Sequence, residues 1–237
     1  MLCSSSSATR RGRRQTWTDH GVGVLDRQEP PLQFRGVVLC GGRSRRMGRD
    51  KALIEIDGRA MASIAADALY AAGAASVHAV GGDAAALTRL GLPVIADRHP
   101  GEGPLGALLD AFDLPDVGGD VLMVLTCDLP FVDDSVVVPV VQALVARPDA
   151  AAAAPVLHGR RQLLSAAYRP ALVLDTARQA FEDGQRAVRA GLRGLPVIEV
   201  LLDACLRWRL EDADTPQDLP AAPDIAWRFG DPDRPRG

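Results

Sequence analysis

A segment rich in glycine and arginine, from Leu39 to Lys51, carries the clearest chemical signal in the chain. It reads Leu-Cys-Gly-Gly-Arg-Ser-Arg-Arg-Met-Gly-Arg-Asp-Lys. The paired glycines Gly41 and Gly42 let the backbone turn sharply and present bare N–H groups to an anion, and the Ser44 hydroxyl adds a donor. Four arginines within seven residues favour an anion that compensates their charge. The spacing predicts a phosphate-binding loop, and a solvated glycine turn is the alternative.

Lys51 is the only lysine among the 27 basic residues, and the chain has no asparagine. Both traits are typical of a GC-rich coding sequence, in which arginine replaces lysine. A compact ammonium is not interchangeable with a guanidinium between phosphate oxygens, so a retained lysine indicates phosphate binding. The segment is not a Walker A loop, because Ala52 follows the lysine, and its glycine spacing does not fit a dinucleotide fingerprint.

Asp128 directly follows the most hydrophobic strand candidate, 121–126, after one cysteine, and Pro130 comes soon after. A carboxylate at this point is expected to project from the carboxyl edge of a sheet, near its middle. It is suited to hold Mg²⁺ while nucleotide phosphates and water complete the octahedron. An aspartate that caps a helix or a turn is the alternative.

Strand-length apolar runs alternate with Ala- and Leu-rich helical stretches, which predicts an α/β fold with a mostly parallel sheet covered by helices on both faces. The strand candidates are 36–40, 76–80, 94–96, 121–126, 151–157, 163–168 and 196–201. The helix candidates are 60–72, 83–90, 105–112, 134–146, 170–182 and 187–192. Sheets of this type bind ligands outside the carboxyl ends of their strands.

The composition is that of an ordinary globular chain. Its 237 residues are 47% hydrophobic and 24% charged, enough for a sizeable core, and no apolar stretch is long enough to span a membrane. The cysteines lie far apart without a C-x-x-C pair, which predicts neither a zinc site nor a disulfide framework and favours a cytoplasmic location. They are Cys3, Cys40, Cys127 and Cys205.

Charge is distributed unevenly along the chain. Residues 1–35 hold six arginines against three acidic residues, whereas the other 202 residues carry 21 basic and 27 acidic groups. An acidic globular part argues against a nucleic-acid partner. Residues 1–34 show no apolar periodicity and are predicted to be a disordered basic extension, with an organelle transit peptide as the alternative. Residues 221–237 are predicted to be a tail.

The segment G-G-R-S-R-R-M-G-R-D-K resembles the signature loop of nucleotidyltransferases of the nucleotide-diphospho-sugar transferase type. Its Gly-Gly pair and Asp-Lys dipeptide are most similar to molybdenum cofactor guanylyltransferases of the MobA type, since cytidylyltransferases carry Leu-Ala-Ala-Gly. Further family-like blocks extend the resemblance to about residues 35–219. They lie at 96–97, 100–106, 126–130, 162–169 and 212–219. The resemblance implies a Rossmann-like three-layer sandwich over 35–220, with a nucleotide-binding half at about 35–150 and an acceptor-binding half at 151–220.

The resemblance also implies an activity, namely transfer of GMP from GTP to the phosphate of molybdopterin or of molybdenum cofactor, with Mg²⁺ as cofactor and pyrophosphate as product. The resemblance further implies a protein partner, either a cofactor-insertion chaperone or a molybdoenzyme. It implies neither a nucleic-acid partner nor a membrane partner. The implied catalytic residues are Arg46, Lys51 and Asp128, and Asp128 is also the metal ligand. The implied nucleotide-binding positions are Leu39, Cys40, Gly41, Gly42, Ser44, Lys51, Asp97, Gly103 and Asp128.

The chemistry of two of these positions is compatible with nucleotide binding. The Asp97 carboxylate can accept hydrogen bonds from guanine N1–H and its exocyclic amine. Gly103 leaves the backbone bare in the segment 100–106, which opens the next helix and is suited to contact a base or ribose. A capped helix entry is the alternative for Gly103.

The acceptor side is less clear from the sequence. An acceptor phosphate calls for positive or polar groups in the second half of the chain. The candidates are Arg160, Arg161, Gln162, Arg169 and Arg186. Asp212 and Asp214 stand where the family often has asparagine, and Gly81-Gly82 stands where another family asparagine contacts the nucleotide, which is then lost or supplied elsewhere. Transfer from CTP, another acceptor phosphate, or a catalytically idle nucleotide-binding adaptor remain the alternatives.

Overall fold

Alternating hydrophobic positions along the central strands build two separate cores, one on each face of a single sheet. The computed structural model describes residues 33–41, 50–114 and 120–213. These residues lie within one compact unit, Leu32–Gly237. The predicted N-terminal extension falls almost entirely outside the described residues, as does the predicted tail at 221–237, and the first strand begins at Phe34.

The six predicted helices and the seven predicted strands occur in the predicted order, and three short strands, Glu55–Ile56, Arg59–Ala60 and Arg160–Arg161, are additional. The strands are β1 (Phe34–Leu39), β2 (Glu55–Ile56), β3 (Arg59–Ala60), β4 (Ala74–Val80), β5 (Val94–Ile95), β6 (Leu122–Thr126), β7 (Ala152–Leu157), β8 (Arg160–Arg161), β9 (Ala167–Tyr168) and β10 (Val197–Val200). The α-helices are α1 (Met61–Ala71), α2 (Ala84–Arg89), α3 (Pro104–Phe112), α4 (Asp134–Val145), α5 (Pro170–Glu182) and α6 (Val188–Gly191). Two 3-10 helices cover Lys51–Leu53 and Ala204–Leu210.

The main sheet has the strand order β10-β7-β9-β6-β1-β4-β5, and β8 pairs with β7 outside this path. Neighbours along the path run parallel, except that β9 is antiparallel to both β6 and β7. Leu39 at the end of β1 is in register with Val80 of β4 and with Thr126 of β6. Three strands therefore end together at one edge, called here the carboxyl edge.

Side chains of β1 show how the two cores form. Phe34 and Val38 join the core beneath α1 and α4, whereas Val37 and Leu39 join the core beneath α3 and α5. This is the period-2 alternation of a strand buried on both faces. The predicted α/β sandwich with a mostly parallel sheet is confirmed.

The six predicted helices agree with the structure to within one residue at each end. The strand predicted over 163–168 is wrong in extent, because only β9 is extended there. Ser165 N–H donates to the Gln162 carbonyl at 3.0 Å, and the Tyr168 hydroxyl donates to the Leu163 carbonyl. These bonds close a turn that an apolar run alone does not reveal. No helix of the described ranges is long and apolar enough to cross a membrane.

Candidate active site

Two glycine turns meet at the carboxyl edge. Gly41 follows β1, and its N–H donates to the Val80 carbonyl at the end of β4 at 3.1 Å. Gly81 follows β4 with a φ of +72°, and a Cβ there would lie only 2.9 Å from the Gly41 Cα. Neither the backbone conformation nor the contact tolerates a side chain at Gly81. The predicted glycine turn is thus packed against a second one. The prediction that Gly41 offers its N–H to an anion is wrong, because this N–H is used within the sheet edge.

Asp97 lies beside this glycine contact, just after β5. Its Oδ1 accepts a hydrogen bond from the His99 N–H at 2.9 Å, which fixes the carboxylate. A Cβ on Gly41 would lie 3.5 Å from the other oxygen, Asp97 Oδ2. The carboxylate that the sequence assigns to nucleotide binding therefore borders the turn that the sequence assigns to phosphate.

Lys51 and Asp128 come together at the same edge. Lys51 begins the first 3-10 helix, and Asp128 lies two residues after β6. The Lys51 Nζ is 3.9 Å from Asp128 Oδ2, and the side chains are 14% and 26% exposed. This distance is beyond hydrogen-bond range, so the attraction is that of two opposite charges in partial contact with solvent. Two residues that are 77 positions apart thus form one charged pair.

The C-terminal segment returns to this pair. Ala213 N–H donates to the Asp128 carbonyl at 2.9 Å and is itself buried. Asp212, which replaces a family asparagine, lies next to it and is exposed. Asp214 lies outside the described residues. The segment that the resemblance assigns to the acceptor side therefore borders the proposed metal ligand.

Cys40 and Cys127 occupy neighbouring positions just past the ends of β1 and β6. Both are buried, and the Cys127 N–H donates to the Leu39 carbonyl at 3.1 Å. A hydrogen bond with Cys40 and then burial hold the pKa of the Cys127 thiol well above its ordinary value. The thiol stays protonated, which fits a packed side chain and not a nucleophile.

Three of the predicted site residues, Gly42, Ser44 and Arg46, lie outside the described residues. Leu39 and Cys40 are buried, and their backbone groups are used in the sheet edge. Their predicted contacts with a nucleotide stay predictions.

Gly103 precedes α3 and packs against the segment before α6. Its φ is +91°, and a Cβ there would lie 3.0 Å from the Arg186 Cβ. Leu105 N–H donates to the Arg186 carbonyl at 3.0 Å, and the Arg186 Nη2 donates to Glu102 Oε2 at 2.8 Å. The guanidinium also lies over the Phe181 ring. Arg186 therefore braces the entry of α3, and its contact with the acceptor stays a prediction.

Arg169, another acceptor candidate, lies away from the carboxyl edge. It lies at the opposite edge of the sheet, where β6 begins, and its side chain is only 10% exposed. Its Nη2 donates to the Leu144 carbonyl at 3.0 Å, and its Nη1 pairs with Asp120. An antiparallel β9 carries the residue away from the carboxyl edge, a reversal that the sequence pattern does not reveal.

The remaining acceptor candidates lie on or beside β8. Arg160 and Arg161 are exposed, and Arg161 Nε donates to Glu199 Oε1 at 2.8 Å. The preceding hairpin turn contains His158, whose Nε2 is 2.9 Å from Glu211 Oε1. This contact places β8 near the C-terminal segment that returns to Asp128. Arg160 therefore stays an acceptor candidate, since it lies on the same side as that segment.

The carboxylate of Asp128 is a ligand type that suits magnesium. No group of three or more His, Cys, Asp or Glu residues that could hold a metal occurs among the described residues. Mg²⁺ in nucleotide sites takes one or two carboxylates and completes its shell with phosphate oxygens and water, so Asp128 fits.

Asp50 also belongs to this site, although the sequence motif predicts no separate role for it. Its Oδ1 accepts the Ala52 N–H at 3.0 Å, and its Oδ2 accepts the Asp83 N–H at 3.2 Å. The first bond has a sequence signal, because aspartate before a short helix is a favoured N-cap. The second bond joins residues 33 positions apart and has none.

Comparison with known proteins identifies the family of the chain. The model of the family described as "MobA-like NTP transferase domain" matches residues 36–197. A molybdenum cofactor guanylyltransferase from Acidiphilium cryptum is 37% identical over 64% of this chain and 74% of the relative. Another from Rhizobium johnstonii is 33% identical over 78% of this chain and 88% of the relative. Some further relatives match over about half of their own length.

A solved structure, molybdopterin-guanine dinucleotide biosynthesis protein A from Archaeoglobus fulgidus, superposes with a TM-score of 0.61 at 21% identity. The match covers 78% of this chain and 94% of the other. At this identity it shows the fold, which agrees with the nucleotidyltransferase type that the resemblance implies. With the family model matched over most of the described sheet, the chain belongs to the MobA-like NTP transferase family.

Proposed function

We propose that this chain is a molybdenum cofactor guanylyltransferase, which transfers GMP from GTP to the phosphate of molybdopterin or of molybdenum cofactor and releases pyrophosphate. The observation that carries the proposal is the pair of Lys51 Nζ and Asp128 Oδ2, 3.9 Å apart at the carboxyl edge. The two relatives described above bear this enzyme's name.

The reaction needs no side chain to deprotonate the acceptor, because its phosphate is already an anion. The barrier lies in bringing two anions together and in the charge that accumulates on the departing pyrophosphate. Positioning and electrostatic stabilisation are therefore the main contributions of the protein. Lys51, with Arg46, the Ser44 hydroxyl and the amide of Gly42, holds the β- and γ-phosphates, whereas the Gly41 N–H already donates to the Val80 carbonyl.

Asp128 is the residue that would hold Mg²⁺. When bound, the ion supplies positive charge against the α-phosphate during in-line displacement. The 3.9 Å separation keeps the Lys51 ammonium close enough to act on the same triphosphate.

Asp97 provides selectivity for guanine in this proposal. One of its oxygens is held by the His99 N–H, and the other lies near Gly41. A carboxylate accepts both N1–H and the exocyclic amine of guanine, whereas cytosine and uracil do not present this donor pair. Gly81-Gly82 offers no side chain to the nucleotide, so Asp97 bears more of the recognition here.

The acceptor lies on the side of Asp128 where the C-terminal segment returns and where β8 carries Arg160. A cofactor-insertion chaperone or a molybdoenzyme is the partner proposed to receive the product. The cytoplasmic location also stays a prediction.

A nucleotide panel tests the proposal. The full chain is heated with Mg²⁺ and each of GTP, CTP, UTP and ATP, and the GTP sample is expected to melt at the highest temperature. Pyrophosphate release is then measured with molybdopterin as acceptor. Stabilisation by CTP and not by GTP would identify a different nucleotidyltransferase. Binding of GTP without any pyrophosphate release would identify the idle adaptor.

A further inference from the structure

The Asp50 carboxylate joins two segments that are separate in sequence. Oδ1 accepts from the Ala52 N–H at 3.0 Å, within the 3-10 helix that Lys51 begins. Oδ2 accepts from the Asp83 N–H at 3.2 Å, at the start of α2. Both acceptors of one ionised group are thus used on backbone donors, which makes the two bonds charge-assisted.

The segments that Asp50 joins are those that shape the carboxyl edge. On one side lies Lys51, whose Nζ approaches Asp128. On the other side lies the turn of Gly81 and Gly82, which packs on Gly41 and Cys40 and leads into Asp83. Asp83 in turn caps α2 by accepting the Ala86 N–H at 3.0 Å. A single carboxylate therefore connects the lysine turn to the glycine contact.

A 3-10 helix of three residues cannot hold Lys51 in place by itself. Such short turns have poorer hydrogen-bond geometry than an α-helix and depend on their flanking contacts. Within the turn, Leu53 N–H donates to the Asp50 carbonyl and Ile54 N–H to the Lys51 carbonyl, both at 3.1 Å. These local bonds shape the turn, and burial of Ala52 anchors it in the core. The bond to Asp83 additionally ties the turn to the start of α2.

We propose that Asp50 is a positioning residue, which holds the Lys51 turn against the start of α2 and thereby keeps the lysine ammonium beside Asp128. The inference rests on the proposed function, because Lys51 is a triphosphate ligand only in that function. Asp50 does not touch substrate in this role. Its effect on GTP passes through the position of Lys51.

Asp50→Ser separates the two bonds. A serine hydroxyl can cap the 3-10 helix at Ala52, but it is too short to reach Asp83 as well. We expect kcat/KM for GTP to fall about tenfold, mostly through a higher KM. Loss of a residue that orients a ligand-binding side chain typically lowers affinity or activity by about this factor. Asp50→Asn keeps the side-chain volume with one acceptor oxygen, and it is expected to give an intermediate loss.

Hydrogen exchange provides a readout that requires no substrate. In Asp50→Ser the amide of Asp83 is expected to exchange faster than in the unmodified chain, while the amide of Ala52 keeps most of its protection. Asp149→Ser is the matched control, since Asp149 is 66% exposed and pairs only with Arg147 in the described contacts. It is expected to change neither exchange at Asp83 nor kcat/KM.

The outcomes separate this inference from the proposed function. Unchanged exchange at Asp83, or unchanged kcat/KM and KM in both Asp50 variants of an active enzyme, would overturn the positioning role. If the unmodified chain does not use GTP, the proposed function fails. The same kinetic or binding comparison is then made with the nucleotide that stabilises the chain most, and a loss of its affinity together with faster exchange supports the positioning role.

Discussion

The two edges of the sheet use opposite charges in different ways. At the edge where β6 begins, Arg169 is almost buried, donates to the Leu144 carbonyl and pairs with Asp120. At the edge where β6 ends, Lys51 and Asp128 are partly exposed and remain 3.9 Å apart. The first cation is fixed by direct hydrogen bonds, whereas the second approaches its acid beyond hydrogen-bond range.

The difference teaches how one fold separates stability from chemistry. Removing a hydrogen-bonded, buried guanidinium leaves a carbonyl without its donor, which costs stability. A longer, partly exposed pair contributes little to stability, since solvent screens it. The Lys51–Asp128 pair instead places a positive and a negative group where phosphates and a cation are proposed to bind. Variants at the two edges should therefore affect different measurements.

Asp128→Ala is expected to have the largest effect. Losing the proposed metal ligand should lower kcat/KM about 10³-fold, the scale on which groups that stabilise transition-state charge act. The melting temperature should change little, because Asp128 is partly exposed. Asp134→Ala, at the exposed start of α4, is the control and should retain activity. Unchanged activity in Asp128→Ala would remove Asp128 from the mechanism.

Lys51→Arg is expected to have the second-largest effect on kcat/KM. The charge is kept, but the planar guanidinium is bulkier than an ammonium and cannot take its place between phosphate oxygens. A displacement of this kind should lower kcat/KM for GTP on the order of 10²-fold. Steady-state kinetics with Arg59→Lys, the reverse exchange at an exposed position of β3, provides the control. Kinetics equal to those of the unmodified chain would contradict the inference drawn from the lone lysine.

Arg169→Met is expected to act on stability alone. Methionine fills the apolar part of the site but cannot donate to Leu144 or pair with Asp120, so the free energy of unfolding should fall by about 2 kcal/mol. Chemical denaturation measures this loss, and kcat/KM of the folded fraction should stay within about twofold of the unmodified value. If Arg169→Met kept its full stability but lost activity, the proposed separation of stability and catalysis between the two edges would be wrong.

Much of the fold and part of the site follow from local sequence. The helix bounds are predictable because apolar residues recur with helical spacing, as in α5, where the predicted and observed ranges coincide. The glycine turn after β1, Lys51 and Asp128 are predictable because residue type and position after a strand already restrict their chemistry. Arg169 could not be placed from the sequence, because a surface arginine and a nearly buried, hydrogen-bonded arginine look the same there.

The sequence by itself determined the alternation of elements, the turn at Gly41 and the identity of the two charged groups, because each depends on neighbours along the chain. Only the tertiary structure decided that Gly81 packs on Gly41, that Asp50 reaches Asp83 and that Lys51 approaches Asp128. These contacts depend on strand order and register, which bring distant strand ends to one edge. No local propensity encodes a distance between segments that meet only when the sheet is assembled.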